Sequence, residues 1–315
     1  MRLFRGLDRL EASARGASVA LGNFDGVHRG HRALLAEARR ARPDAPLGVV
    51  TFEPHPRRFF QPDAPPFRLT TSAERARILA GLGVDMVCEL PFDRHLASLT
   101  PETFVEEVLG DRLGLAHVSV GEDFRFGHRR AGTAAELRRL GGGIGMGVSI
   151  LHPVTGAEGV YSSTAARVLV EQGRMAEAAE ALARWHTVRG IVETGDQRGR
   201  DLGFPTANLA FGEQIVPRYG VYAARVTVLN GPHAGIHDGA ASIGVRPQFG
   251  HYVPNFEVHI FDFAGDLYGA DISAALVAFL RDEARFDSVE DLIAQMDADC
   301  AEARAVLAAA GEPGP

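Results

Sequence analysis

Two histidines three residues apart, His28 and His31, stand in the string Gly22-Asn23-Phe24-Asp25-Gly26-Val27-His28-Arg29-Gly30-His31, between a short apolar run and a helical pattern. A glycine-rich turn lets the backbone approach a ligand, and the helix that follows offers unpaired N–H groups and a positive dipole end to an anion. The spacing sets both imidazoles across the helix start. From there both can donate hydrogen bonds to phosphate oxygens that gain charge as phosphorus is attacked. Much further along, Pro205 precedes Thr206 and Asn208, which project to one face of an extended segment. A hydroxyl beside an amide oxygen makes a hard-oxygen pair suited to Mg²⁺ carried in with ATP. Glu257, in Phe256-Glu257-Val258-His259-Ile260-Phe261, shares a face with His259 and opposes Phe256, Val258 and Ile260. It is either a solvated strand residue or the carboxylate that accepts a proton when a hydroxyl attacks phosphorus.

The histidine pair alone admits other readings: a zinc pair, chance surface histidines, or the histidines of a class I aminoacyl-tRNA synthetase. The zinc reading lacks further ligands at a helpful spacing, and the synthetase reading needs a lysine-bearing loop. All 33 basic residues are arginine, so that loop is excluded, together with a Walker A lysine, a Schiff-base lysine and a kinase strand lysine. Phosphate must be met by backbone N–H groups, helix starts, His, Arg and metal.

The elements that position these groups fall into two textures. From Val19 to about Ala183 short apolar runs alternate with helical stretches: a strand at Val19–Leu21, a helix over His31–Ala41, a run at Leu47–Phe52, a helix over Ser72–Leu82, an extended Val84–Leu90, a helix at Pro101 capped by Thr100, and a strand at Val118–Val120. This order predicts a parallel, doubly wound α/β sheet. After a helix at Met175–Arg184, strand-like runs recur between Gly and Pro turns (Val188–Val192, Val221–Val228, Ala240–Ile243, Phe256–Phe261, Ile272–Phe279). They predict an antiparallel β-barrel. A terminal helix follows, capped by Asp287 or Ser288, with Val289, Leu292, Ile293, Met296, Cys300, Ala303 and Leu307 on one face. The boundary is set near residue 184, giving domains 1–184 and 185–315.

Further strings accompany these in order: Thr51-Phe52-Glu53-Pro54-His55-Pro56, Gly121-Glu122-Asp123-Phe124-Arg125-Phe126-Gly127, Ser162-Ser163-Thr164-Ala165-Ala166-Arg167 and Gly199-Arg200-Asp201-Leu202-Gly203-Phe204-Pro205-Thr206-Ala207-Asn208. With Gly22–His31 and Glu257, the whole resembles the bacterial bifunctional riboflavin kinase/FMN adenylyltransferases, from about Ser18 to Arg304. The resemblance implies a Rossmann-like HxGH nucleotidyltransferase domain followed by a β-barrel riboflavin kinase domain. It implies ATP-dependent phosphorylation of riboflavin to FMN, then adenylylation of FMN to FAD with release of pyrophosphate, both with Mg²⁺. In the first domain His28 and His31 would act on ATP phosphates. Gly22, Asn23, Phe24, Asp25, Gly26 and Gly30 would shape that pocket, Asp123, Phe124, Phe126 and Gly127 would border the nucleotide or FMN, and Ser163, Thr164 and Arg167 would face phosphate from a second helix start. Plain core packing is the other reading of Phe124 and Phe126. In the second domain Glu257 would be the base, and Thr206 and Asn208 would hold Mg-ATP. The glycines Gly195, Gly199 and Gly203 permit a flap that closes over phosphates by backbone contact; Pro205 would also border the ATP or riboflavin, and Arg281 would lie near flavin or phosphates. The chain departs from the family pattern at Val160, Ala166, Ser242 and Gln248. Two rival functions stand beside this one: a kinase whose first domain only binds nucleotide, and a flavin binder without turnover.

The net charge of −7 argues against nucleic acid as the main partner. No apolar run approaches the roughly 18–20 residues that span a bilayer, so no membrane partner is expected and the expected location is cytoplasmic. Cys88 and Cys300 have no CxxC spacing and read as buried thiols. Gly141–Gly147 matches no GxGxxG register and reads as a flexible loop. His259 reads as a satisfied barrel side chain. Nothing in the sequence speaks to oligomeric state.

Overall fold

The structure, a computed structural model, describes residues 1–195, 202–248 and 251–311, with backbone alone for 246–248 and 251–253. Its contacts divide the chain into two units, Met1–Ala64 with Ser72–Ser162 and Pro65–Thr71 with Ser163–Pro315.

In the first unit, β1 (Arg2–Arg5), β2 (Ser18–Leu21), β3 (Leu47–Glu53), β4 (Met86–Pro91), β5 (His117–Gly121) and β8 (Gly147–Leu151) form one sheet in the order β1-β4-β3-β2-β5-β8. Every neighbouring pair is parallel. Alternate residues of each strand feed the cores on the two faces: Val19, Leu21, Val50, Phe52, Met86 and Cys88 go to one, and Ala20, Val49 and Val87 to the other. Both faces are therefore covered, which is why these strands read as continuous apolar runs. Helices α1 (Arg29–Ala41) and α3 (Ser72–Gly81) cover the Ala20 face through Leu34, Leu35, Ala38, Ile78 and Leu79. On the other face lie α5 (Pro101–Thr103), its π-helical continuation Phe104–Arg112, and α6 (Ala134–Gly143). Thr100 caps α5 as expected, accepting from the Thr103 amide at 3.2 Å. Short elements complete the unit: α2 (Pro56–Phe60), α4 (Arg94–Ser98), the pair β6 (Arg125–Phe126) and β7 (Gly132–Thr133), and the pair β9 (Thr155–Gly156) and β10 (Gly159–Val160).

The glycine run corrects the sequence expectation. Gly141–Gly143 close α6 and Gly147 opens β8, so the segment is not a flexible loop. A Cβ on Gly141 would lie 2.9 Å from Val148 Cγ2, so the helix packs against β8 at a distance only glycine permits. The period-2 signal of β8 was hidden because its first residue belongs to that run.

The second unit opens with α7 (Ser163–Glu171) and α8 (Met175–Leu182). Six antiparallel strands follow: β11 (His186–Ile191), β12 (Thr206–Leu209), β13 (Gly220–Val228), β14 (Gly235–Gln248), β15 (His251–Ile260) and β16 (Asp271–Arg281), in the order β11-β16-β13-β14-β15-β12. The sheet curls until its edges meet, since Glu193, just beyond β11, bridges Asn208 of β12 with an N···O distance of 2.9 Å. Curling removes two open sheet edges, the usual reason for such a barrel. The last helix, α9 (Val289–Ala309), is capped by Ser288, which accepts from the Asp291 amide at 3.0 Å. Ala303 and Leu307 pack with Ala223, Phe261 and Val277. Val289 is exposed, so the apolar face of α9 starts a turn later than its pattern predicts.

Candidate active sites

Strand order sets the first site. From β2 the chain steps to β3 and β4 on one side of the sheet, and later to β5 and β8 on the other. The crevice beyond the carboxyl ends of strands at such a reversal is where open α/β sheets bind ligands. Gly22–His31 follows β2, Thr51–Pro56 spans the end of β3, and Gly121–Gly127 follows β5, so three separated strings meet on one sheet edge. His28 is the N-cap residue of α1, and its ring stacks on His31 with centroids 3.7 Å apart. Phe24 also stacks on His31, with centroids 4.5 Å apart.

Phe24, Gly26 and Val27 all have left-handed backbone (φ 52, 81 and 45°). For Phe24 and Val27 that conformation costs of order 1–3 kcal/mol each and persists only where surroundings dictate it. Both side chains are buried in the α1-side core, which supplies the constraint. Phe24 therefore shapes the site through His31. Asp25 is fully buried, and Asn23 presents its carbonyl inward, accepting from Thr51 Oγ1 at 3.0 Å. A Cβ on Gly30 would stand 3.0 Å from both the His28 ring and the Tyr161 carbonyl, so a side chain between the imidazoles would press on both.

Burial, reinforced by His28 and then by Arg75, holds His31 well below the usual imidazole range. Its buried Nδ1 has no hydrogen-bond partner among the described residues. His31 is thus a neutral imidazole at neutral pH, stacked where a second cation would be repelled. Arg75 is the larger surprise. It is 1% exposed, and its guanidinium reaches Glu89 Oε1 at 2.7 Å, Glu53 Oε2 at 3.2 Å and the Asn23 carbonyl at 3.3 Å. Ser72 and Arg5 also hold Glu89. Burial would raise the Glu89 pKa, but these donors outweigh it and keep the carboxyl below its usual range. One arginine from α3 thereby ties the carboxyl ends of β3 and β4 to the loop after β2.

The remaining first-site candidates separate. Asp123 is exposed, Phe124 is half-buried, and Phe126 lies in the core, 5.7 Å from both Phe124 and Phe104. Gly127 (φ 71°) approaches Pro101, where a Cβ would meet ring atoms at 2.9 Å. Ser163 and Thr164 open α7 in the second unit. There Arg167 Nε donates to the Phe67 carbonyl at 2.7 Å, and its guanidinium lies over the Phe67 ring. Ala166, a departure from the family pattern, is fully buried.

The second site is built by strand pairing. β12 and β15 run antiparallel with Asn208 opposite Glu257 and Thr206 opposite His259. The expected alternation is present: Ala207, Leu209, Phe256, Val258 and Ile260 are buried, while Thr206, Asn208, Glu257 and His259 are half-buried on the other face. Thr206 Oγ1 donates to Glu257 Oε2 at 3.0 Å, and Asn208 Nδ2 reaches the Thr206 carbonyl at 3.5 Å. Having donated its one proton, the Thr206 hydroxyl still has lone pairs for a cation. Hydroxyl, amide and carboxylate oxygens together suit a hard divalent ion. Among the described residues no three His, Cys, Asp or Glu side chains could cage one unaided. Gly195 lies against Asn208, where a Cβ would fall 2.4 Å from Nδ2. Gly203 has φ 88° and Pro205 directs its carbonyl to His259 Nδ1 at 2.9 Å, which satisfies that histidine. Gly199, Arg200 and Asp201 lie outside the described residues, as does the side chain of Gln248. Arg281 forms a two-pronged ion pair with the buried Asp299 of α9, at 2.8 and 2.6 Å, and so fastens α9 to the barrel.

Residues 10–165 match the FAD synthetase family model and residues 182–307 the riboflavin kinase model. A bifunctional riboflavin kinase/FMN adenylyltransferase of Escherichia coli K12 is 40% identical over 305 residues, covering 95% of this chain and 96% of that protein. One from Pseudomonas fluorescens is 40% identical over 312 residues, 98% of each. The chain belongs to the bifunctional riboflavin kinase/FMN adenylyltransferase family. A crystal structure of a macrolide-efflux protein from Streptococcus pneumoniae has a TM-score of 0.83 and 32% identity, covering 95% of this chain and 97% of that one. Among the described residues no helix is long and apolar enough to cross a membrane.

Sequence reasoning missed Arg75, Glu53 and Glu89 as a group, because their association depends on two strands and a helix meeting. It also missed Asn255, whose Nδ2 donates to Glu257 Oε1 at 2.7 Å. The signal was available, since residues two apart on a strand share a face.

Proposed function

We propose that the two sites work in series, the barrel supplying the FMN that the α/β unit adenylylates. The chain is a flavin-cofactor enzyme with two transferase activities: ATP-dependent phosphorylation of riboflavin to FMN, and adenylylation of FMN by ATP to FAD. Families of this kind use ATP with a divalent metal, and we assign Mg²⁺, which keeps few protein ligands and enters with phosphate oxygens. In the kinase step the 5′-hydroxyl of riboflavin attacks the γ-phosphorus of ATP, Glu257 accepts its proton, and ADP leaves. Thr206 and Asn208 would hold the metal, which neutralises charge on the phosphates.

In the second step an FMN phosphate oxygen attacks the α-phosphorus of ATP and pyrophosphate leaves. His28 and His31 donate hydrogen bonds to oxygens gaining charge, and the first turn of α1 directs its N–H groups to the same place. A neutral His31 has one N–H to give, so its role is to donate a hydrogen bond and not to act as a fixed cation. Asp123 and Phe124, beyond β5, border the flavin or nucleotide. Ser163, Thr164 and Arg167 keep their proposed role towards phosphate. A cytoplasmic location, where ATP and free riboflavin meet, belongs to the same proposal, with no nucleic acid or membrane as partner.

The observation that most supports the scheme is Glu257 hydrogen-bonded to Thr206 with Asn208 opposite it in register. A flavin binder without turnover would have no use for that arrangement. The test is to incubate purified protein with riboflavin, ATP and Mg²⁺ and separate the flavins chromatographically. FAD is the expected end product. FMN that accumulates without FAD would mean that the first unit only binds nucleotide, and unchanged riboflavin would sink both activities.

A further inference from the structure

Glu257 is a long side chain on a strand, and nothing in a strand's own geometry fixes where its carboxylate points. Ordering such a side chain works against its rotamer entropy. Donors from two different strands are among its partners here. Thr206 of β12 donates to Oε2 at 3.0 Å, and Asn255 of β15 donates to Oε1 at 2.7 Å. Asn255 precedes Glu257 by two residues and so emerges on the same face, half-buried beside it. Across the sheet it is opposite Gly244 of β14, and the Glu283 carboxylate occupies the place that a side chain there would take.

We propose that Asn255 is a positioning residue for the kinase reaction, clamping one oxygen of Glu257 so that the other stays at the Thr206 side, where the attacking hydroxyl must arrive. The inference rests on Glu257 being the base. The clamp fixes the direction of the carboxylate, which is what a proton acceptor in a phosphoryl transfer requires. Asn255 touches neither substrate nor metal in this scheme. Its effect therefore falls on turnover and spares substrate binding.

The test is steady-state FMN formation by the full chain carrying Asn255→Ala, Asn255→Asp or Glu257→Gln, each with Mg²⁺, ATP and riboflavin. Removing the donor in Asn255→Ala is expected to lower kcat by about 10-fold, and Asn255→Asp by about 10²-fold, with KM for riboflavin within about twofold of the parent. Aspartate matches asparagine in shape, cannot donate when ionised, and repels Glu257. The order Asn, Ala, Asp is thus specific to a hydrogen-bond clamp. A residue that merely fills space gives the reverse order, with Asp near the parent and Ala worse, and that result overturns the proposal. So does kcat near the parent in both variants while Glu257→Gln is inactive. An active Glu257→Gln overturns the base assignment itself, and with it the clamp.

Discussion

The two ATP sites of this chain solve one electrostatic problem with different materials. In the proposed scheme the α/β unit meets phosphate with imidazoles and helix N–H groups at the reversal of a parallel sheet, with no carboxylate against the reacting phosphorus. In the same scheme the barrel meets it with oxygen donors on paired strands, and a carboxylate is central. The difference follows from what each step needs. An FMN phosphate is already an anionic nucleophile and has no proton to lose, so the first site needs only donors to developing charge. Riboflavin's hydroxyl must shed a proton, so the second site needs a base. The supports differ as well. A buried arginine–glutamate network and a strained turn hold the imidazoles, whereas antiparallel register alone brings Asn208 opposite Glu257.

The strongest way to break this contrast is Glu257→Gln. Loss of a general base is expected to lower FMN formation by about 10²–10⁴-fold while supplied FMN is still converted to FAD; equal damage to both reactions would end the division of labour. His31→Ala is the mirror test. It should lower FAD formation from FMN by about 10²–10³-fold, the usual loss for one donor to developing charge, with FMN formation unchanged. Glycine substitutions sharpen the comparison further. Gly195→Ala pushes a Cβ into Asn208, and Gly30→Ala pushes one against His28 and the Tyr161 carbonyl. Each should reduce only its own reaction, by about 10-fold, read as initial rates of the two steps.

The smallest effect is one of acid stability. Burial lowers the His31 pKa well below 6.5, and burial also lowers that of His117, whose ring contacts Ser18 at 3.1 Å and Ser149 at 3.0 Å. Below the ordinary value of 6.5 the unfolded chain binds protons that the folded unit refuses, so stability falls as pH drops through that window. Melting followed at pH 7.5 and 5.5 should show the α/β unit losing stability over this range, and His117→Gln should flatten its dependence. An unchanged slope in that variant would remove His117 from the account.

Much of this was legible in the residues. The strings Gly22–His31 and Pro205–Asn208 announce their backbone requirements, and period-2 alternation at Phe256–Ile260 put Glu257 and His259 on one face before any sheet was known. The absence of lysine restricted the phosphate chemistry to the groups proposed for both sites. The residues that hold Glu257 and the β2–α1 turn in place were not legible, nor was the helical end of the Gly141–Gly143 run. Arg75 looks like one of several helix arginines, and only the convergence of β3, β4 and the β2–α1 turn shows that it is buried among carboxylates. Local sequence fixes side-chain type and facing, because backbone periodicity is a short-range property. Which distant carboxylate meets which guanidinium, and that Asn208 is opposite Glu257 across 49 residues of chain, is decided by strand order and register. Those are consequences of how the whole chain buries its apolar surface.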